Sequence, residues 1–347
     1  MSSSSTVPVQ LHRTEENTDE VERLTDRFGG ATGLASVLAS MNRQARRAKV
    51  PGSRVDSGFA WNDSDQASKR WWPQGISSSA DAGTDEDDRV AGRRLLVTSW
   101  CSRQLAGESH GSRVTFVDVD TLEYRHVLLV TPEESFGEIR MKAVTVHAGG
   151  LVWYGPYLHV AGTRRGLLSC RLDDIVEVPP GPESFGHRFV LPVRFGYRAT
   201  ADDGVEKLRY SFVSLDRGNA PPEMVAGEYG VADQTRRLAR FALDPRTHDL
   251  VAGADGAAVP LSLDEGAPTN LQGAAIIDGT YYLTSSRGRR RLGRLHVGKP
   301  GALKTIARAL PPGPEDLTYW PSTDMLWSLS EHPGRRFVFC MARQSLA

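Results

Sequence analysis

Cysteine is scarce in this chain. Cys101, Cys170 and Cys340 are the only three in 347 residues, far apart and odd in number, which excludes a disulfide framework or a CxxC metal knuckle. Lysine is nearly as rare: it occurs six times, so 36 of the 42 basic residues are arginine, and they balance 42 acidic ones. Without a net charge nothing in the composition points to nucleic acid or an anionic membrane, and neither is expected as a partner. Long apolar runs are absent too. The stretch GLASVLASM (33–41) is too short to span a bilayer. It follows the acidic TEENTDEVER (14–23), where a secretory leader carries basic residues, so a cytoplasmic protein is expected. No P-loop, dinucleotide fingerprint, serine-hydrolase elbow or HExxH zinc motif occurs. No metal or cofactor is therefore expected.

What is present divides the chain in four. Residues 1–12 are Ser-rich and read as disordered. Over 13–50, apolar residues recur at helical spacing (Val21, Leu24, Phe28, then Leu34, Val37, Leu38, Met41). This predicts a short helical extension broken at Phe28-Gly29-Gly30, with Asn17 as its N-cap. A polar stretch, 51–70, reads as a linker. From 71 to 347 the helical period gives way to short Val/Leu/Tyr/Phe runs bounded by Gly, Pro, Asp and Asn, which is strand vocabulary.

A four-residue break recurs five times in that region: VTSW (97–100), VAGT (160–163), VAGE (225–228), LTSS (283–286) and LSEH (329–332), with starts 63, 65, 58 and 46 residues apart. Upstream segments such as LVWYGPYLHVAG and LTYWPSTDMLWSLSE read as hairpins, and strands such as RVTFVDV and RFVFCMA follow. Repeats of this kind describe propeller blades, whose period is about 40–50 residues before loop insertions. The expected fold is an all-β, five-bladed β-propeller, or a six-bladed one if 177–201 forms a blade of its own. A β-sandwich uses the same vocabulary but has no reason to repeat one break in one place. Because the C-terminal blade runs out at FVFCMA, closure calls for a strand from the N-terminal side.

In a propeller the innermost strand of each blade lines the central channel. Ahead of the breaks stand polar residues beside glycine: Gln74 in PQG, His147 in HAGG, Gln272 in LQG and the pair Glu315-Asp316 in GPEDL. Spacing offers Ser211 or Ser214 for the third blade. The breaks themselves end in Trp100, Thr163, Glu228, Ser286 and His332, with Glu331 adjacent. Two such rings around one mouth would make a polar pocket with aromatic walls from Trp72, Trp100, Tyr229 and Trp320, the usual ground for a small-molecule site. On this reading Glu315, His147 and Glu228 carry the chemistry and the others bind substrate. Alternation along a strand sends neighbours to opposite sides, so Glu315 takes the functional role and Asp316 the structural one. The arginine doublets 93–94, 164–165, 236–237 and 335–336 read as solvated turn residues.

The segments WWPQGIS (71–77), HAGGLVWYGPYLHVAGT (147–163), LQGAAIIDGTYYLTSS (271–286) and GPEDLTYWPSTDMLWSLSEHPGRR (313–336) resemble those of a largely uncharacterised group of bacterial β-propeller proteins. More distantly, the QG and GPEDL strand starts look like those of glutaminyl cyclotransferases, sugar lactonases and strictosidine synthase. The likeness implies a propeller working at its channel mouth, and it departs from the lactonase pattern in lacking an Asn and Asp pair at the matching strand starts.

Three functions fit. The first is an enzyme with acid–base chemistry (cyclisation, elimination, isomerisation or hydrolysis of a small organic molecule) and no redox cofactor. The second is a non-catalytic propeller that binds a metabolite or peptide. The third is a carbohydrate-active propeller, for which Glu228 and Glu315 are the carboxylate pair to test.

Overall fold

The computed structural model describes residues 7–83 and 88–346. Strands dominate, and they form five sheets arranged as a β-propeller. Each sheet begins with an inner strand: Trp71–Ser78, Leu151–Tyr154, Phe212–Asp216, Leu271–Ile277 and Pro314–Trp320. These five touch one another in a closed cycle, the last packing against the first. From each inner strand the chain meanders outward, antiparallel, through hairpins. Apolar residues on both faces of these strands interdigitate between neighbouring sheets, as in the cluster built around Trp61, Trp100 and Tyr124.

The sheets are less uniform than the sequence repeat. Two are plain four-stranded sheets, and the others carry five, six and eight strands. The extra strands come from segments that the repeat did not cover. Segment 177–201 forms no separate blade: Phe189–Pro192 lies parallel to Glu123–Ser135 in the first sheet, and Phe195–Ala201 joins the second.

The N-terminal region is woven into the propeller. Val9–Arg13 pairs antiparallel with Phe195–Ala201, so residues 9–12 are ordered where low complexity suggested disorder. The alternation of Val9 and Leu11, both fully buried, is what commits them. Residues 1–6 lie outside the described residues. Two helices follow, Thr18–Arg27 and Gly33–Ala39, separated at Phe28-Gly29-Gly30 as expected. Asn17 does not cap the first with its side chain; its amide donates instead to the Val193 carbonyl at 3.1 Å. The stretch 51–70 is no linker. Ser57–Ala60 pairs with Phe337–Ala342 as the fourth strand of the last sheet, with Arg46–Arg47 outside it, so the ring is closed by strands from the N-terminal side. Directly after it comes a helical turn, Asp63–Ala67, capped by Asn62 through the Asp65 N–H at 3.0 Å. Among the described residues no helix is long and apolar enough to cross a membrane.

Candidate functional site

Three of the inner strands break register at the polar residues that the sequence singles out. The pairing of Trp71–Ser78 slips between Pro73 and Ile76, that of Leu271–Ile277 between Leu271 and Gly273, and that of Pro314–Trp320 between Pro314 and Leu317. A bulge frees the residues it contains from strict alternation and re-aims their side chains. Gln74, Gln272, Glu315 and Asp316 all sit in these bulges, so both members of the acidic pair turn inward.

Glycine makes room for them. A Cβ on Gly273 would stand 2.7 Å from the Asp316 backbone, and one on Gly150 2.1 Å from the Val213 nitrogen. In that crowded core Asp316 is wholly buried; its Oδ2 accepts the N–H groups of Ile76 at 3.2 Å and Leu151 at 3.3 Å, tying three sheets together across the axis. Its Oδ1 is buried without a partner among the described residues. Burial drives this carboxyl well above the usual range despite those N–H bonds. The recurring breaks supply hydroxyls that hold the bulges: Ser99 accepts the Gly75 N–H at 2.9 Å and donates to the Ala148 carbonyl at 2.7 Å, and Thr284 donates to the Glu315 carbonyl at 2.8 Å.

Toward the mouth stand two further carboxyls, each held by a glutamine. The Gln272 amide donates to Glu315 at 2.9 Å, and the Gln74 amide donates to Glu331 at 3.0 Å. Burial raises both; Glu315 rises well above its ordinary value, first through burial and then because Glu331 and Asp316 stand near it. Beside Glu331 lies His332, 6 % exposed, whose two ring nitrogens have no hydrogen-bond partner among the described residues. Burial and the arginines around it push its imidazole down to about 4, so it is neutral at neutral pH. Gly313, at φ +64°, lies directly against that ring: a Cβ there would be 2.7 Å from it. Trp72 meets His332 edge-on at 5.8 Å, with Arg103 over its face at 4.7 Å.

Above this floor opens a cavity of about 440 Å³. Glu331, His332, Gln272, Tyr229, Asn270 and Ser286 line it together with Arg287, Arg291 and Arg294. Asn270 donates to the Tyr229 hydroxyl at 2.5 Å and fixes that wall. The structure therefore puts Glu331 at the cavity surface and Glu315 one hydrogen bond behind it, beneath Gln272.

Several expected members stand elsewhere. Glu228 is fully buried and saturated: Arg237 grips it at 2.8 and 3.2 Å, and the N–H groups of Arg209 and Arg237 donate to it at 3.1 and 3.0 Å. With its carboxylate held low by these partners, it braces the end of its strand and has no free lone pair for chemistry, which also removes the Glu228–Glu315 pair. Trp100 packs inside the first sheet against Trp61 at 4.9 Å, and Trp320 sits at the far end of its strand against Trp327 at 6.4 Å; both are core. His147 is solvent-exposed, with Cys101 Sγ 3.9 Å from its Nδ1, and it is not among the residues that line the cavity. Ser211 and Ser214 do not reach the cavity lining. Of the arginine doublets, Arg237 and Arg336 are buried where solvation was expected; Arg336 donates to the carbonyls of Glu331 at 2.8 Å and Asp65 at 2.5 Å.

Sequence reasoning missed the arginines of the mouth. The run RGRRRLGR (287–294) was the available signal, and it falls directly after the fourth break, where the chain leaves the inner face.

No protein-family model matches the chain, and no curated protein matches it. Among solved structures it is similar to a gluconolactonase from Xanthomonas campestris, at 12 % identity over 86 % of this chain and 97 % of that one, with a TM-score of 0.37. It is similar also to a GH43 β-xylosidase/α-arabinofuranosidase from a compost metagenome (9 % identity, 84 % and 94 % covered, TM-score 0.40) and to the hydrazine synthase of Kuenenia stuttgartiensis (12 %, 76 % and 74 %, 0.36). Overlays this loose assign no chemistry, which rests on the chain's own residues.

Proposed function

We propose that the chain is an enzyme performing acid–base chemistry on a small organic anion at the propeller mouth. The observation that carries this reading is the floor of the cavity. Two glutamates, each accepting a glutamine amide and neither paired with lysine or arginine within 4 Å among the described residues, lie under a rim of three arginines beside a buried, neutral histidine whose Nδ1 is 3.4 Å from Glu331 Oε1. Burial raises the Glu331 carboxyl, which therefore holds its proton to higher pH than a free glutamate does, the direction a general acid needs. Glu331 faces the cavity and delivers or takes the proton. Glu315 stands behind it as a second raised carboxyl, and His332, whose Nδ1 lies 3.4 Å from Glu331 Oε1, accepts or relays the proton. Arg287, Arg291 and Arg294 hold the substrate's negative group, which fixes the reacting atoms over Glu331. Elimination, isomerisation, cyclisation and hydrolysis all fit this set, since each needs one acid and one base.

Metabolite binding without turnover is the second reading. It is favoured by the buried axis below Glu315, which Asp316 fills, and by the absence of His147 from the cavity lining. A panel of small hydroxy acids, keto acids and lactones, incubated in D₂O and followed by NMR for solvent exchange or ring opening, separates the two. Turnover by the wild type that falls about 10²–10⁴-fold in Glu331→Gln supports the enzyme. Binding without turnover, or turnover that Glu331→Gln leaves intact, overturns it.

A further inference from the structure

A second polar cavity, of about 310 Å³, opens on the first sheet. Four arginines from four parts of the chain converge on it: Arg43 before the closing strand, Arg113 on Ser112–Asp118, Arg125 on Glu123–Ser135, and Arg188 after the 180–187 loop. Few carboxylates answer them. Arg43 and Arg113 share Asp65, each at 3.0 Å, and Arg188 pairs with Glu177 at 2.6 Å. Arg125 donates to the Ser40 carbonyl and pairs with no carboxylate among the described residues. Four guanidinium charges thus meet two carboxylates, leaving two positive charges unmatched.

Asp65 has no capacity to spare. It also accepts the Tyr124 hydroxyl at 2.7 Å and approaches His126 Nε2 at 3.1 Å. His126 turns its other nitrogen to the Thr115 hydroxyl at 2.7 Å, and its ring is buried. Arg113 is 3 % exposed, and its Nε is buried with no acceptor. A desolvated guanidinium with an unmet donor is costly unless an acceptor arrives. Asn42, Ser64 and Ser68 add neutral donors at the same cavity, while Trp71 and Phe185 give it an apolar edge.

We propose that this cavity binds the phosphate group of a small metabolite. Arginine forks match phosphate oxygens bidentately. The doubly charged group balances the two unmatched cations, where a single carboxylate leaves one. The volume stands at the lower end of the range for small-molecule pockets, which leaves space for a compact organic body against Trp71 and Phe185. This site shares no lining residue with the channel mouth.

Calorimetric titration of the full chain at low ionic strength tests it, with inorganic phosphate and glycerol 3-phosphate as probes and acetate as control. The expected result is saturable one-to-one binding of a phosphate probe, weakened about tenfold or more by Arg188→Ala and by Arg43→Ala and unchanged in Arg291→Ala at the mouth. These two arginines are partly exposed and on separate segments, so a folding defect in one leaves the other to decide. Tighter binding of glycerol 3-phosphate identifies an ester as the ligand, and tighter binding of inorganic phosphate identifies the free ion. Absence of saturable binding, acetate binding as tightly as phosphate, or loss in Arg291→Ala with retention in both other variants overturns the proposal.

Discussion

Glu315 and Asp316 are adjacent and chemically alike, yet they differ in their partners. Asp316 accepts backbone N–H groups from two other inner strands, whereas Glu315 accepts one glutamine amide. Removing the aspartate carboxyl leaves the N–H groups of Ile76 and Leu151 buried and unpaired, so Asp316→Ala is expected to cost on the order of 1–3 kcal/mol. Glu315→Gln keeps an acceptor oxygen for Gln272 and should stay within about 1 kcal/mol of wild type. Urea denaturation of both variants checks the order; a larger loss in Glu315→Gln reverses the assignment. Adjacency to glycine made the pair legible in the sequence. The prominence of Glu331 was not, because alternation counted along a strand cannot foresee the bulge that puts Glu315 behind Gln272.

At the scale of elements, the bulges depend on backbones lying closer than a side chain permits. Gly150 faces the backbone of Phe212 and Val213, with 2.1 Å to the nearer nitrogen from a Cβ placed on it. Neither side can yield without shifting an inner strand, so Gly150→Ala is expected to destabilise by roughly 3 kcal/mol or more. A Cβ on Gly181, in an outer loop, meets nothing nearer than 3.8 Å; Gly181→Ala should stay within about 0.5 kcal/mol. Equal melting temperatures for the two variants would show that the axis yields to an added methyl group. The same scale explains what sequence patterning read well and badly. Breaks such as VTSW and LTSS recur because their hydroxyls fasten the bulges, and that regularity was visible. The turn Asp63–Ala67 was hidden: NDSDQASK is as polar as any linker, and its role rests on contacts remote in the chain. Gln66 and Arg336 exchange hydrogen bonds across 270 residues, at 2.5 and 3.1 Å.

At the scale of the whole molecule, the axis gathers carboxyls whose pKa values are raised by burial: Glu331, Glu315, Asp316 and, beyond them, Asp81. A carboxyl whose folded pKa lies above its unfolded one binds its proton more tightly in the native state. Its stabilising contribution is fully present below the unfolded pKa and is lost as pH rises through the folded one. Buried histidines act from the other side. His126, His159 and His332, pushed down to about 3, 4 and 4, favour the fold above the ordinary imidazole pKa and withdraw that support as pH falls toward those values. Alkaline loss of stability is therefore assigned to the buried carboxyls of the axis and acid loss to the buried histidines of the sheets and the mouth. Between pH 6 and 9 the wild-type melting temperature is expected to fall. The double variant Glu315→Gln/Asp316→Asn, which keeps acceptors at both positions but cannot ionise, should start lower and fall less. If its slope over that range matches the wild type, Glu315 and Asp316 do not carry the alkaline loss of stability and the assignment to them fails.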